Sequence, residues 1–155
     1  MHKEILSFKI GLSGTSSLKS PDFKICVDGK TFCEGSLSTN PNETEYFEFP
    51  VEILEGEHSL EVHLLNKHST DTIKDGTGQI LEDMLLNIDS IEIDEIEIGA
   101  LKWTASSYFP EYPSDYLDET QKSIKEVKNC VNLGWNGVWK IQFTSPFYIW
   151  LLENI

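Results

Sequence analysis

The sequence is short of positive charge. It carries 12 lysines and arginines against 26 aspartates and glutamates, a formal net charge of −14. A chain this acidic repels phosphate backbones and anionic headgroups, which argues against nucleic acid and membrane surfaces as partners. No apolar run comes near the roughly 18 residues that a membrane-spanning helix needs. No apolar stretch follows Met1-His2-Lys3-Glu4, so no signal peptide is expected. Cysteine is scarce as well. Cys26, Cys33 and Cys130 are an odd number, which does not make a disulfide framework, and the lack of a CxxC pair argues against a zinc site. Catalytic and phosphate-cradling signatures are missing: there is no GxSxG elbow, no GxGxxG and no GxxxxGK loop. His2, His58, His63 and His68 have no serine or cysteine partner close in sequence. The expectation is a protein that is not an enzyme.

What is present is enough to fold. Hydrophobic residues make up 39% and aromatics 11% of 155 residues, a size and composition expected of a single domain, 1–155. Apolar and polar residues alternate over 4–12 and 58–64, which is the strand period, and 45–53, 85–93 and 138–143 also read as strands. Residues 23–27 and 31–35 form a hairpin. If its loop is Gly29-Lys30, Cys26 and Cys33 face each other; if it is Asp28-Gly29, Cys26 faces Thr31. Pro50 marks an edge or a bulge. Asp94-Glu95 is a turn, and Phe147 to Leu152 reads as a last strand. Glu119 to Val131 reads as one short helix capped by Asp118, with Ile124, Val127 and Val131 on one face. Turns every 8–12 residues or so are the rhythm of an all-β antiparallel sandwich, jelly-roll-like, with that one helix.

Two segments carry chemistry. Asn66 to Glu82 is polar, a long surface loop with a small hairpin at Asp75-Gly76. Asn66, Asp71, Asp75, Asp83, Asn87 and Asp89 supply hard oxygens of the kind calcium takes, without EF-hand spacing. A solvated acidic loop has the same composition. The second segment is aromatic: Trp103, Tyr108, Phe109, Tyr112 and Tyr116 lie in or beside one loop, and Trp135 sits in a Gly-Trp-Asn-Gly turn. Such rings either stack on sugars and partner proteins or cover the sandwich edge.

The order of three motifs resembles a known group. Phe23-Lys24-Ile25-Cys26-Val27-Asp28-Gly29-Lys30 is followed by Gly56-Glu57-His58-Ser59-Leu60-Glu61-Val62. Asn66 comes next, and then Asp83-Met84-Leu85-Leu86-Asn87-Ile88-Asp89-Ser90-Ile91. Over about residues 4–98 this is similar to the calcium-dependent xylan-binding carbohydrate-binding modules, families 36 and 60. The resemblance implies a jelly-roll-like sandwich holding a calcium whose open positions are filled by sugar hydroxyls, with Asn66 and Asp83 at the family's loop oxygens. Lys67 departs from it, falling where the family has an acidic residue, and Leu85 falls where a polar one follows the aspartate. A lysine beside a calcium repels it. The remainder, including 133–137 and 145–154, resembles uncharacterised small proteins of tailed phages, particularly marine ones with contractile tails. That likeness implies a virion protein made in host cytoplasm.

The resulting expectation is a binding module on a phage particle. Asn66, Asp71 and Asp83 would hold calcium, while Trp103, Tyr108 and Trp135 would contact polysaccharide. The rival is a structural capsid-decoration, neck or tail protein bound to other virion proteins, a homo-oligomer if the apolar end of the chain is an exposed patch.

Overall fold

The computed structural model describes residues 3–38, 40–113 and 119–155. Tyr116 of the aromatic loop and the expected helix cap Asp118 lie outside them. Thirteen strands are present among the described residues: β1 (Lys3–Gly14), β2 (Asp22–Val27), β3 (Lys30–Ser36), β4 (Glu45–Leu54), β5 (Gly56–Leu64), β6 (Thr72–Lys74), β7 (Ile80–Asp83), β8 (Leu86–Ile93), β9 (Ile96–Glu97), β10 (Ser106–Pro110), β11 (Val127–Lys128), β12 (Asn132–Leu133) and β13 (Gly137–Ser145). Three short helices accompany them: α1 (Leu101–Thr104), α2 (Glu119–Lys122) and α3 (Phe147–Asn154).

The strands form two antiparallel sheets and a ribbon. One sheet runs β12-β8-β1-β4, with β9 paired to β8; the other runs β11-β10-β13-β5-β2-β3; β6 and β7 pair alone. Period-two alternation decides what faces inward. Leu6, Phe8, Ile10 and Leu12 of β1 meet Ile25, Val62, Trp139 and Ile141 of the second sheet in one apolar core. Ile5 faces solvent at 68% exposure, so the inward set of β1 starts from Leu6. Between β1 and β8 the register slips: Gly11 faces Ser90 but Leu12 faces Ile88. The extra residue, Asp89, bulges out, which is why Ile88 and Ile91 are both buried.

Several sequence expectations hold. The β2–β3 loop turns on Asp28 (φ 52°) and Gly29 (φ 80°), so Cys26 faces Thr31 and Cys33 faces Ile25. All three cysteines are free thiols. Pro50 lies on β4, an edge strand. The 75–76 turn joins β6 and β7, antiparallel partners.

Two expectations fail. Residues 147–152 are helical, not a strand. Phe147, Trp150 and Leu151 are buried while Tyr148, Ile149 and Leu152 are exposed, the spacing of one helix face. Glu4 anchors the helix start: its Oε2 accepts from Phe147 N at 2.8 Å and from the Ser145 hydroxyl. The helix expected over 119–131 shrinks to Glu119–Lys122. Val127 instead pairs with Tyr108 on the sheet edge, and Asn129 takes a positive φ of 55°, which ends any continuous helix.

The register also fixes where the loops emerge. Leu64 ends β5 opposite Phe23 and Gly137, Pro110 ends β10 opposite Gly137, and Leu86 starts β8 opposite Gly14 and Leu133. Segments 15–21, 65–85 and 134–136 therefore leave the sandwich at one end. Gly137 sets the start of β13 there. Its φ is 147°, and a Cβ would collide with the Phe109 carbonyl. Gly137→Ala is expected to lose about 1–3 kcal/mol of stability, a melting shift of roughly 2–4 °C per kcal/mol for a chain of this size, read by thermal unfolding.

Candidate functional site

Lys67 lies at the centre of the loop end. Its side chain is fully buried. Its ammonium donates to Asp83 Oδ1 and, at 3.0 Å, to the Met84 carbonyl, and stands 5.3 Å from the centre of the Trp135 ring. Thr72 Oγ1 donates to the same Asp83 oxygen at 2.7 Å. The Lys67 backbone is clamped by Asn136, whose Oδ1 accepts from Lys67 N at 2.7 Å and whose Nδ2 donates to Lys67 O at 3.2 Å. A buried charge needs this density of partners to offset its desolvation.

The other expected oxygens are spoken for separately. Asn66 Oδ1 accepts from Asp22 N at 2.8 Å, and its Nδ2 donates to Ser20 O at 3.0 Å, tying the loop to the start of β2. Asp71 Oδ2 accepts from Lys19 Nζ at 2.8 Å and from His68 N at 2.7 Å. Burial alone would raise the Asp71 carboxyl, but these donors hold it below its usual value. Asp75 Oδ1 accepts from the backbone amides of Thr77 and Gln79 in its own turn. Asn87 bridges Ser13 and Asn132, and Asp89 accepts from Thr44. Asn66, Asp71 and Asp83 thus share one loop system but not one coordination point.

These residues do not fit calcium between them, because a cation already occupies the Asp83 oxygen. Two unit charges of like sign about 4 Å apart repel by about 4 kcal/mol at the effective dielectric of a protein surface, and a divalent ion doubles that. Lysine suits the role, being a compact point charge.

The aromatics divide. Trp135 is half-buried at the loop end, its ring 6.3 Å from Tyr112 at 66°. Tyr108 corrects the expectation of a stacking ring: it is 4% exposed, facing inward from β10. Its hydroxyl donates to the Trp135 carbonyl and accepts from Trp135 N at 3.0 Å. Burial pushes its phenol far above the usual value, despite the bond to that carbonyl. Tyr108 is a positioning residue for the Trp135 turn. Trp103 is 40% exposed but sits on α1, under Lys102, whose Nζ binds Asp89 O in mid-β8. No described contact joins it to Trp135. The residues that sequence reasoning passed over, Asn136, Thr72 and Lys19, are polar side chains whose partners are remote in sequence.

Away from the loop end, a hollow of about 340 Å³ lies on the six-stranded sheet near the β2–β3 turn, lined by Asp28, His58, Lys140, Gln142 and Trp150 among others. His58 Nδ1 is 2.6 Å from Asp28 Oδ2 and its Nε2 is 2.5 Å from Leu54 O. Burial depresses the imidazole, but the bonds to Asp28 and Leu54 outweigh it and leave the net value raised.

Comparison with protein-family models and with curated proteins returns no match. Among solved structures, the chain is similar to the selenomethionine form of vCBM60, described with a circular permutation linking two families of calcium-dependent carbohydrate-binding modules. The TM-score is 0.54 at 15% identity, over 88% of this chain and 89% of that one. It is also similar to vCBM60 in complex with galactobiose, at a TM-score of 0.50 and 16% identity, over 89% of this chain and 97% of that one. At such identity the likeness shows the fold: an antiparallel β-sandwich of the kind found in carbohydrate-binding modules.

Two outcomes follow from the geometry. Lys67→Met strands Asp83 and is expected to lose about 3–5 kcal/mol, whereas Lys67→Met with Asp83→Leu recovers most of it, because an apolar pair replaces the whole ion pair; chemical denaturation of the native chain and the two variants measures this. His58 favours its proton when folded. Its contribution is complete below about pH 6.5, the ordinary histidine value, and is lost as pH rises through the raised native value. Urea midpoints across that range should show the loss in the native chain and a smaller one in Asp28→Asn.

Proposed function

We propose that the chain is a non-catalytic carbohydrate-binding module that meets a polysaccharide at the loop end of the sandwich. The observation that carries the reading is the fold's likeness to vCBM60, one of whose structures is a complex with galactobiose. Trp135 supports it from the site itself: a large ring held at the loop end by Tyr108, Asn136 and Lys67. The sugar meets the half-buried Trp135 ring on its solvent side, beside Tyr112. Trp103 is a separate exposed ring, outside this contact. Calcium at Asn66, Asp71 and Asp83 does not enter the reading, because Lys67 supplies the positive charge there.

A second reading has one observation in its favour. The outer face of α3 exposes Tyr148, Ile149 and Leu152, followed by Ile155. On that reading the chain is a structural piece of a tailed-phage particle, associating with itself or with other virion proteins through this stripe.

Calorimetric titration of metal-stripped protein with galactobiose and with xylo-oligosaccharides, in chelator, separates the two. The first reading expects saturable binding without metal, weakened about tenfold or more in Trp135→Ala, a loss of about 1.4 kcal/mol. Absence of binding to any of these sugars, together with concentration-dependent association in sedimentation, would favour the structural role.

A further inference from the structure

A separate cluster lies on the outer face of the six-stranded sheet. Cys26 on β2 pairs directly with Glu61 on β5, and His63 follows two residues along the same strand. Leu60, Val62 and Leu64 point into the core, so Glu61 and His63 share the opposite face. Cys26 joins them there, and the Cys26 sulfur, a Glu61 carboxylate oxygen and a His63 ring nitrogen all lie within 4.8 Å of one another. Cys26 is 2% exposed, and the side chains of Glu61 and His63 are each 18% exposed.

One atom in the cluster makes no hydrogen bond, although it stands at ion-pair distance from Glu61. His63 Nε2 is buried and has no hydrogen bond among the described residues. Glu61 Oε1 stands 3.5 Å away without closing one. Buried polar atoms are rarely left unsatisfied, and an exception calls for an explanation. Sulfur, imidazole nitrogen and carboxylate oxygen are together the donor set of zinc, whereas calcium takes oxygen alone.

We propose that Cys26, Glu61 and His63 form a binding site for zinc or a similar borderline divalent cation, independent of the loop end. Binding releases the thiol proton of Cys26, and the thiolate and the carboxylate then neutralise the ion's two charges. His63 donates its Nε2 lone pair, and the fourth position is left to water or to a donor atom of a ligand. The ion displaces Lys140, whose ammonium is 3.8 Å from Glu61 Oε2, and bears the neighbouring charge of Lys24, which pairs with His63 across β2 and β5. Cys26 keeps only a weak contact, with Thr31 Oγ1 at 3.5 Å. The lack of a CxxC pair speaks only to ligands that are local in sequence; here the strand register brings them together.

The test uses reduced, metal-stripped full-length protein titrated with zinc, and with cobalt(II) as a spectroscopic probe. The expected result is one zinc per chain, a raised melting temperature, and a sulfur-to-cobalt charge-transfer band. The band should disappear in Cys26→Ser and survive in Cys33→Ser with Cys130→Ser. His63→Gln and Glu61→Gln should each weaken zinc binding about tenfold or more while melting normally without metal. A band that persists in Cys26→Ser, or zinc affinity unchanged in His63→Gln, would overturn the proposal. So would the absence of any stoichiometric zinc uptake by the native chain.

Discussion

The loop end of this sandwich depends on one buried ion pair. Lys67 and Asp83 come from opposite ends of a long excursion between β5 and β8, and their contact closes it. With the Lys67 side chain fully buried, withdrawing Asp83 from it leaves an unpaired charge out of water. Everything around the pair reinforces it. Asn136 clamps the Lys67 backbone, Thr72 satisfies the shared Asp83 oxygen, and Thr15 accepts from Leu85 N while donating to the Asp83 carbonyl. Trp135 lies beside the ammonium, so the most prominent ring of the loop end is positioned by the same charge that holds the loop.

This arrangement reconciles an acidic chain with a fold whose solved neighbours belong to calcium-dependent modules. A loop rich in carboxylates needs positive charge near it. The chain contains no arginine, so every permanent side-chain cation is a lysine. Lys67 and Lys19 each reach a loop carboxylate, Asp83 and Asp71, from within the protein. A cation attached by a covalent tether needs no free metal, and its position is set by packing rather than by concentration. The surface proposed to meet a glycan is built from aromatic and amide groups around that internal charge.

Much of the fold was legible because it follows from period two. The inward residues of β1, β4, β5 and β13 alternate in the sequence, and Asp28-Gly29 announces its turn. Where the reading failed, a longer-range interaction decided the outcome. Phe147 to Leu152 is apolar enough for either element, and only the burial of Phe147, Trp150 and Leu151 against β13, with Glu4 at the helix start, selects the helix. Tyr108 reads as a loop aromatic until β10 is seen to pair with β13 as far as Pro110, which turns its ring inward. Lys67 was visible as an oddity among acidic residues. Its sign as a repellent follows from sequence; its role as the loop's own cation follows from burial, which sequence does not state. Asn66 likewise reads as a ligand, although both ends of its amide are used to tie the loop to β2.

The most direct measurement is the side-chain nitrogen resonance of Lys67, observed by NMR in isotopically labelled, metal-stripped protein and assigned by its loss in Lys67→Met. A buried ammonium held by Asp83 and the Met84 carbonyl should give a slowly exchanging signal that stays unchanged when calcium is added to excess. A Lys67 signal that is averaged with solvent, or that shifts to a solvent-exposed value as calcium binds, would contradict the account.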